Sequence, residues 1–136
     1  NSPGFRLPFG RLSRTPHGTY PEYHTSADDP TFVKDASLAE TLGLLLDVVD
    51  VLERDRRPVS QAPHGEPQLG RRGLMSTVGG RAEVKPDELA VLWVLAMADG
   101  DHSLLDIVER SGIRFGAIAD AAAALEGVGL LDTTAP

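Results

Sequence analysis

The chain has 136 residues, a formal net charge of −7 and no cysteine. That length suffices for one modest domain or two small ones. The absence of thiols excludes disulfides and thiolate metal sites and suits a reducing, cytoplasmic setting. No apolar run reaches the roughly 18 to 20 residues of a membrane span. The charge is uneven, with three basic and ten acidic side chains in residues 82–136 against an even balance before them. That excess argues against a C-terminal segment built to neutralise nucleic-acid phosphates.

Residues 1–36 are rich in Pro, Gly, Thr and Ser. They read as long loops with one short strand near Phe5–Phe9, and loops of this length in a compact domain commonly line a functional site. Within them, Tyr20 to Asp29 places His24 in a polar, turn-prone stretch, with Tyr23 directly before it and Asp28 four positions after. Neutral imidazole is a good zinc ligand, a phenol can polarise a carbonyl, and a carboxylate can orient an imidazole from behind. One histidine does not hold a zinc ion, and His17, His64 and His102 stand at no metal-site spacing. On residue type alone His24 reads equally as a structural or solvated loop side chain.

Ser37 is a good N-cap, and Glu40 completes a capping box. Leu38, Leu42, Leu45, Leu46, Val49 and Leu52 then recur at spacings of three and four. This predicts an amphipathic helix that ends near Asp55 and packs its apolar stripe against a sheet. Residues 58–81 read as loop, with prolines at 58, 63 and 67, glycines at 65, 70, 73, 79 and 80, and the basic doublet Arg71-Arg72. This stretch is either a solvated connector or a loop that returns to a cleft.

From Pro86 the texture changes. Pro86 suits a first helical turn, and Asp87-Glu88 complement the positive helix end. The apolar run from Leu89 to Met97 predicts a buried helix, which Asp99-Gly100-Asp101 breaks. Ser103 with Asp106 caps a second helix, Leu104–Arg110, which Ser111-Gly112 ends. An alanine-rich third helix runs from Phe115 to Glu126, Gly127 and Gly129 stop it, and Leu130-Leu131 open a strand. Three short helices and a strand suit a winged-helix unit with a short or absent wing. Its third helix has Asp120 and Glu126 and no Lys or Arg, so a protein-docking role, with a second subunit as one candidate partner, is favoured over DNA binding.

Tyr23-His24-Thr25 with Asp28, Ser2 to Gly10, Arg14 to Gly18, Gly65 to Leu74, Leu92 to Leu95, Asp99-Gly100 and Leu104 to Ile107 together resemble a bacterial branch of the two-zinc aminopeptidases. In that branch an aminopeptidase-like domain precedes a C-terminal winged helix. The resemblance implies an α/β fold of which residues 1–81 are the C-terminal part, followed by a small, mostly α winged-helix-like domain at 82–136. It also implies that this is the C-terminal piece of a longer protein. Two zinc ions would be held by two histidines and three carboxylates, with a separate glutamate as general base. His24 matches the last histidine ligand, in the loop before the closing helix. Tyr23 matches a tyrosine that in some family members donates to the oxyanion, and it reads equally as a side chain packed in the loop; Asp28 either accepts from the imidazole or braces the loop.

Glu66 is the candidate for a substrate's α-ammonium, while Arg14 and Arg72 either bind an anion or form structural ion pairs. The remaining ligands would lie outside these residues, which leaves the piece inactive alone. The implied substrate is a peptide or aminoacyl small molecule, with no nucleic acid and no membrane as partner. The alternatives are a non-hydrolytic relative that binds a metabolite in a biosynthetic pathway, and a regulatory winged-helix module.

Overall fold

The computed structural model describes residues 3–8, 10–65, 67–75 and 86–134. They are mostly helical with a small two-stranded sheet. The chain divides into two units, Asn1–Leu44 and Leu45–Pro136. Among the described residues no helix is long and apolar enough to cross a membrane.

The first unit is a succession of turns that leads into helix α1, Asp35–Arg54. Tyr23, Thr25, Asp28 and Phe32 donate their amides to the carbonyls of Tyr20, Glu22, Thr25 and Asp29. These short-range bonds satisfy part of the backbone within the turns. The strand expected near Phe5 does not form over residues 5–8 (Phe9 lies outside the described residues), where no backbone hydrogen bond to a partner strand occurs among the described residues. Helix α1 also begins two residues before the expected cap. The Lys34 carbonyl accepts from the amides of Ser37 and Leu38 at 2.9 and 3.2 Å, so Ser37 is already inside the first turn and no Ser37–Glu40 capping box forms. Asp35 is the acid that complements the helix N-terminus. None of the described residues from 3 to 57 is buried, and the apolar stripe of α1 meets no sheet among them.

The second unit has a core. Helices α2 (Pro86–Ala96), α3 (Leu104–Ser111) and α4 (Phe115–Gly127) pack together around Ala90, Val94, Leu104, Ile107, Ile118, Ala122 and Leu125, all 0% exposed. The helix boundaries follow local chemistry. The Ser103 hydroxyl accepts from the Asp106 amide while the Asp106 carboxylate accepts from the Ser103 amide, and Gly112 closes α3 at φ 69°, where a side chain would be strained.

Strand β1, Arg57–Ser60, pairs antiparallel with β2, Leu131–Thr134, with Arg57 opposite Thr134 and Ser60 opposite Leu131. On its other edge β1 bridges to Asp99, and the Gly100 amide donates to the Pro58 carbonyl at 2.9 Å. Pro58 has no N–H to offer, and its carbonyl makes this edge contact instead. Strand β1 is absent from the loop reading of residues 58–81, and its pairing joins residues 57–60 to the C-terminal helices. Among the described residues no second strand follows β2 to make a wing hairpin.

Candidate functional site

His24 lies within the turn series of the first unit. Its φ is 58°, the one positive φ of a non-glycine residue among those described. Left-handed backbone costs such a residue roughly 1 to 2 kcal/mol, and strain of this kind concentrates at functional positions. The Tyr23 ring lies 4.1 Å from the His24 ring between centroids, and Tyr23 also meets His17 at 5.4 Å and Tyr20 at 5.5 Å. These rings cluster around Tyr23, and His24 is exposed. Thr25 braces the turn through its hydroxyl, which donates to the Glu22 carbonyl at 2.8 Å.

Asp28 contributes its amide to the same turn, and no hydrogen bond joins its carboxylate to His24 among the described residues. Asp29 braces the next turn by accepting from the Thr31 hydroxyl and amide at 2.6 and 2.8 Å. Those two bonds hold its carboxyl below the usual 3.8. Among the described residues no three His, Asp or Glu side chains gather closely enough to hold a metal ion. The donors of these residues therefore do not make a zinc site by themselves.

The two arginines are engaged in separate places. Within the first unit Arg14 binds the start of α1, donating to Glu40 at 2.7 Å, to the Ser37 carbonyl at 2.9 Å and to the Thr41 hydroxyl at 3.3 Å. In the second unit Arg72 closes a short 3-10 turn, Leu69–Arg72, and donates to the Val128 carbonyl at 3.0 Å. Glu66 lies outside the described residues.

The C-terminal unit carries a cleft of about 860 Å³, lined by Asp47, Asp50 and Val51 of α1, Gly73 and Leu74, Glu88 and Val91 of α2, Arg114, and Phe115, Gly116, Ala117, Asp120, Ala121 and Ala124 of α4. Beside Phe115 and Asp120, the α4 residues that line it are small: Gly116, Ala117, Ala121 and Ala124. Among the described residues that line it, the carboxylates are Asp47, Asp50, Glu88 and Asp120 and the cation is Arg114. Arg54 donates to Asp120 and, at 3.5 Å, to Asp50, and Arg56 pairs with Glu126 at 2.8 Å. Asp120 of α4 is thus tied to the end of α1, and Glu126 to Arg56 just before β1.

The cleft is absent from the sequence reading. The small residues of α4 were visible as a face for close approach, but nothing local indicates that α1 stands opposite them. Asp99 is a second feature that needed the structure. Burial pushes its carboxyl up, but hydrogen bonds from the amides of Asp101 and His102, the His102 ring bond and its charge outweigh that. The pKa comes to about 2. The His102 ring bond is 2.7 Å long, and the set anchors the turn between α2 and α3.

Comparison with known proteins divides the chain at the end of α1. Residues 56–133 match the model of a winged helix-turn-helix, and residues 1–55 that of a domain of unknown function (DUF4910). The chain is 43% identical over 131 residues to a Clostridium acetobutylicum protein named for polysaccharide biosynthesis and for an aminopeptidase-like domain; the match covers 96% of this chain and 30% of that protein. A crystal structure from the same organism, of a protein named as a peptidase, is 40% identical and superposes with a TM-score of 0.71 over 82% of this chain and 24% of the other. This chain therefore spans less than a third of the length of either relative.

Proposed function

The chain belongs, over residues 56–133, to the winged helix-turn-helix family, and from that premise we propose that it is the C-terminal part of an aminopeptidase-like zinc hydrolase. The observation that carries the reading is the 43% identity with the aminopeptidase-like relative, which runs through both parts of the chain. The exposed His24, at positive φ and in ring contact with Tyr23, supports it locally. In this reading His24 supplies one ligand to a two-zinc site whose other donors come from outside these residues. Tyr23 offers a phenol hydroxyl to the carbonyl oxygen of the substrate as charge develops there. The substrate is a peptide or a related aminoacyl amide in a cytoplasmic setting, and the 136 residues alone have no hydrolytic activity.

The winged helix acts as a packing and protein-contact module. Helix α4 has no Lys or Arg, and acids line its cleft, which repels a phosphate backbone. A second reading has one specific support. The C. acetobutylicum relative is named for polysaccharide biosynthesis, which favours a fold that binds an amide- or sugar-linked metabolite without cleaving it. Hydrolysis of aminoacyl p-nitroanilides by the natural full-length polypeptide, with and without a chelator, separates the two. Chelator-sensitive release supports the hydrolase, and inertness toward every aminoacyl substrate with retained metabolite binding supports the second reading.

A further inference from the structure

A tight turn in the first unit presents His17, an imidazole with no place among the ligands proposed around His24. His17 follows Pro16 and precedes Gly18, and the Thr19 amide donates back to the Pro16 carbonyl at 3.2 Å. Gly18 stands at φ 78°, the left-handed conformation that the third position of a type II turn demands and that a side chain resists. The Thr19 hydroxyl donates to the same Pro16 carbonyl at 2.7 Å. The corner that carries His17 is therefore held by two bonds.

The imidazole so placed meets the Tyr23 ring at 5.4 Å between centroids, tilted by 35°. Tyr20 meets Tyr23 edge-on at 5.5 Å and 71°, and is itself stacked on Phe32 at 6.0 Å and 15°. Tyr23 in turn meets His24 at 4.1 Å. The backbone of Tyr23 is fixed separately, by the bond from its amide to the Tyr20 carbonyl. That bond leaves both side-chain torsions of the tyrosine free, and the phenol hydroxyl lies at their far end. Tilted and edge-on ring contacts are what select one orientation of such a side chain. Among the described residues no three His, Asp or Glu side chains gather to hold a metal ion, so the contact of His17 with Tyr23 is not part of a ligand set formed by these residues.

We infer that His17 is a positioning residue: its ring packs on the Tyr23 ring and holds the phenol in the orientation from which it donates to the substrate carbonyl. The role is one of shape and needs no proton on or off the imidazole. The inference rests on the proposed donor role of Tyr23, and adds to it a residue that touches neither metal nor substrate. Because the bond from the phenol strengthens only as charge develops on the carbonyl oxygen, loosening it lowers kcat and leaves KM nearly unchanged.

The natural full-length polypeptide is compared with its His17→Ala, His17→Phe and Tyr23→Phe variants and with the double variant His17→Ala/Tyr23→Phe. With aminoacyl p-nitroanilides, Tyr23→Phe should lower kcat about 100-fold, the usual loss of an oxyanion donor. His17→Ala only loosens that donor, and should lower kcat about tenfold with KM and zinc content kept. His17→Phe should restore kcat, since a phenyl ring keeps the packing. In the Tyr23→Phe background His17→Ala should have no further effect, because the hydroxyl it positions is already gone. A His17→Ala variant as fast as wild type overturns the inference. So does a His17→Phe variant as slow as His17→Ala, a loss of zinc from His17→Ala, or a loss of rate that persists without the Tyr23 hydroxyl. A wild type inert toward every aminoacyl substrate defeats the hydrolase reading instead, and the positioning is then read from the ring itself. NMR relaxation of isotope-labelled tyrosine should show the Tyr23 ring more mobile in His17→Ala than in wild type or His17→Phe, and a ring equally rigid in all three overturns the inference.

Discussion

The same leucine-to-alanine change should have very unequal consequences at two helical positions of this chain. Leu104 opens α3 with 0% of its surface exposed, whereas Leu52 near the end of α1 is 73% exposed. Truncating a fully buried leucine forfeits its transfer free energy and leaves a cavity, together about 3 kcal/mol within the usual span for such sites. A domain of this size loses about 4 to 8 °C of Tm per kcal/mol, so Leu104→Ala should lower Tm by roughly 15 °C. Leu52→Ala removes little that is buried and gains slightly in helix propensity, so its effect in the 136-residue chain should stay within about 0.5 kcal/mol. Thermal and urea unfolding of the two variants, followed by circular dichroism, measures both. A Leu104→Ala variant as stable as wild type, or a Leu52→Ala variant as damaged as Leu104→Ala, would refute the placement of the core in the C-terminal helices.

Gly100 adopts φ +84°, and a Cβ there would lie 3.2 Å from Val59 Cγ2; Gly100→Ala should therefore cost about 1 to 2 kcal/mol in urea unfolding, and a neutral result would contradict the tight approach to β1. The Asp99 carboxyl is held at about 2, below its ordinary 3.8. Its stabilising contribution is thus full above about pH 4 and is lost as pH falls through about 2. The stability gap between wild type and Asp99→Asn should therefore narrow from pH 5 to pH 2, and a gap independent of pH counts against the His102 and backbone bonds as its source. Fluorescence anisotropy with random-sequence duplex DNA at physiological salt should show no binding at micromolar protein, and salt-sensitive binding would overturn the protein-contact reading of α4.

Most of the C-terminal fold is legible because its signals are local. Pro86 starts α2, the Ser103–Asp106 box starts α3, and Gly112 and Gly129, both at positive φ, mark stops that need no tertiary information. Strand β1 is not legible. Arg57-Pro-Val-Ser60 carries a proline and reads as loop, and it becomes a strand only by pairing with residues at the far end of the chain. The amphipathic pattern of α1 is equally plain in the sequence, but periodicity reports that a face is apolar, not what covers it. The start of α1 shows the limit of cap rules, since Ser37 has the right chemistry and Lys34 supplies the carbonyl that begins the helix. In the candidate site, Tyr23 and His24 come together because they are adjacent. The cleft between α1 and α4 joins side chains distant in sequence, and no local pattern announces it.

The most direct test of the account is the zinc content of the natural full-length polypeptide, wild type beside His24→Ala, by elemental analysis after extensive dialysis. The account predicts about two zinc ions per wild-type chain, in line with the co-catalytic geometry of two-metal sites, and loss of metal from the variant while the winged-helix core keeps its melting behaviour. A metal-free wild type, or a variant that keeps its full complement of zinc, would contradict the role given to His24.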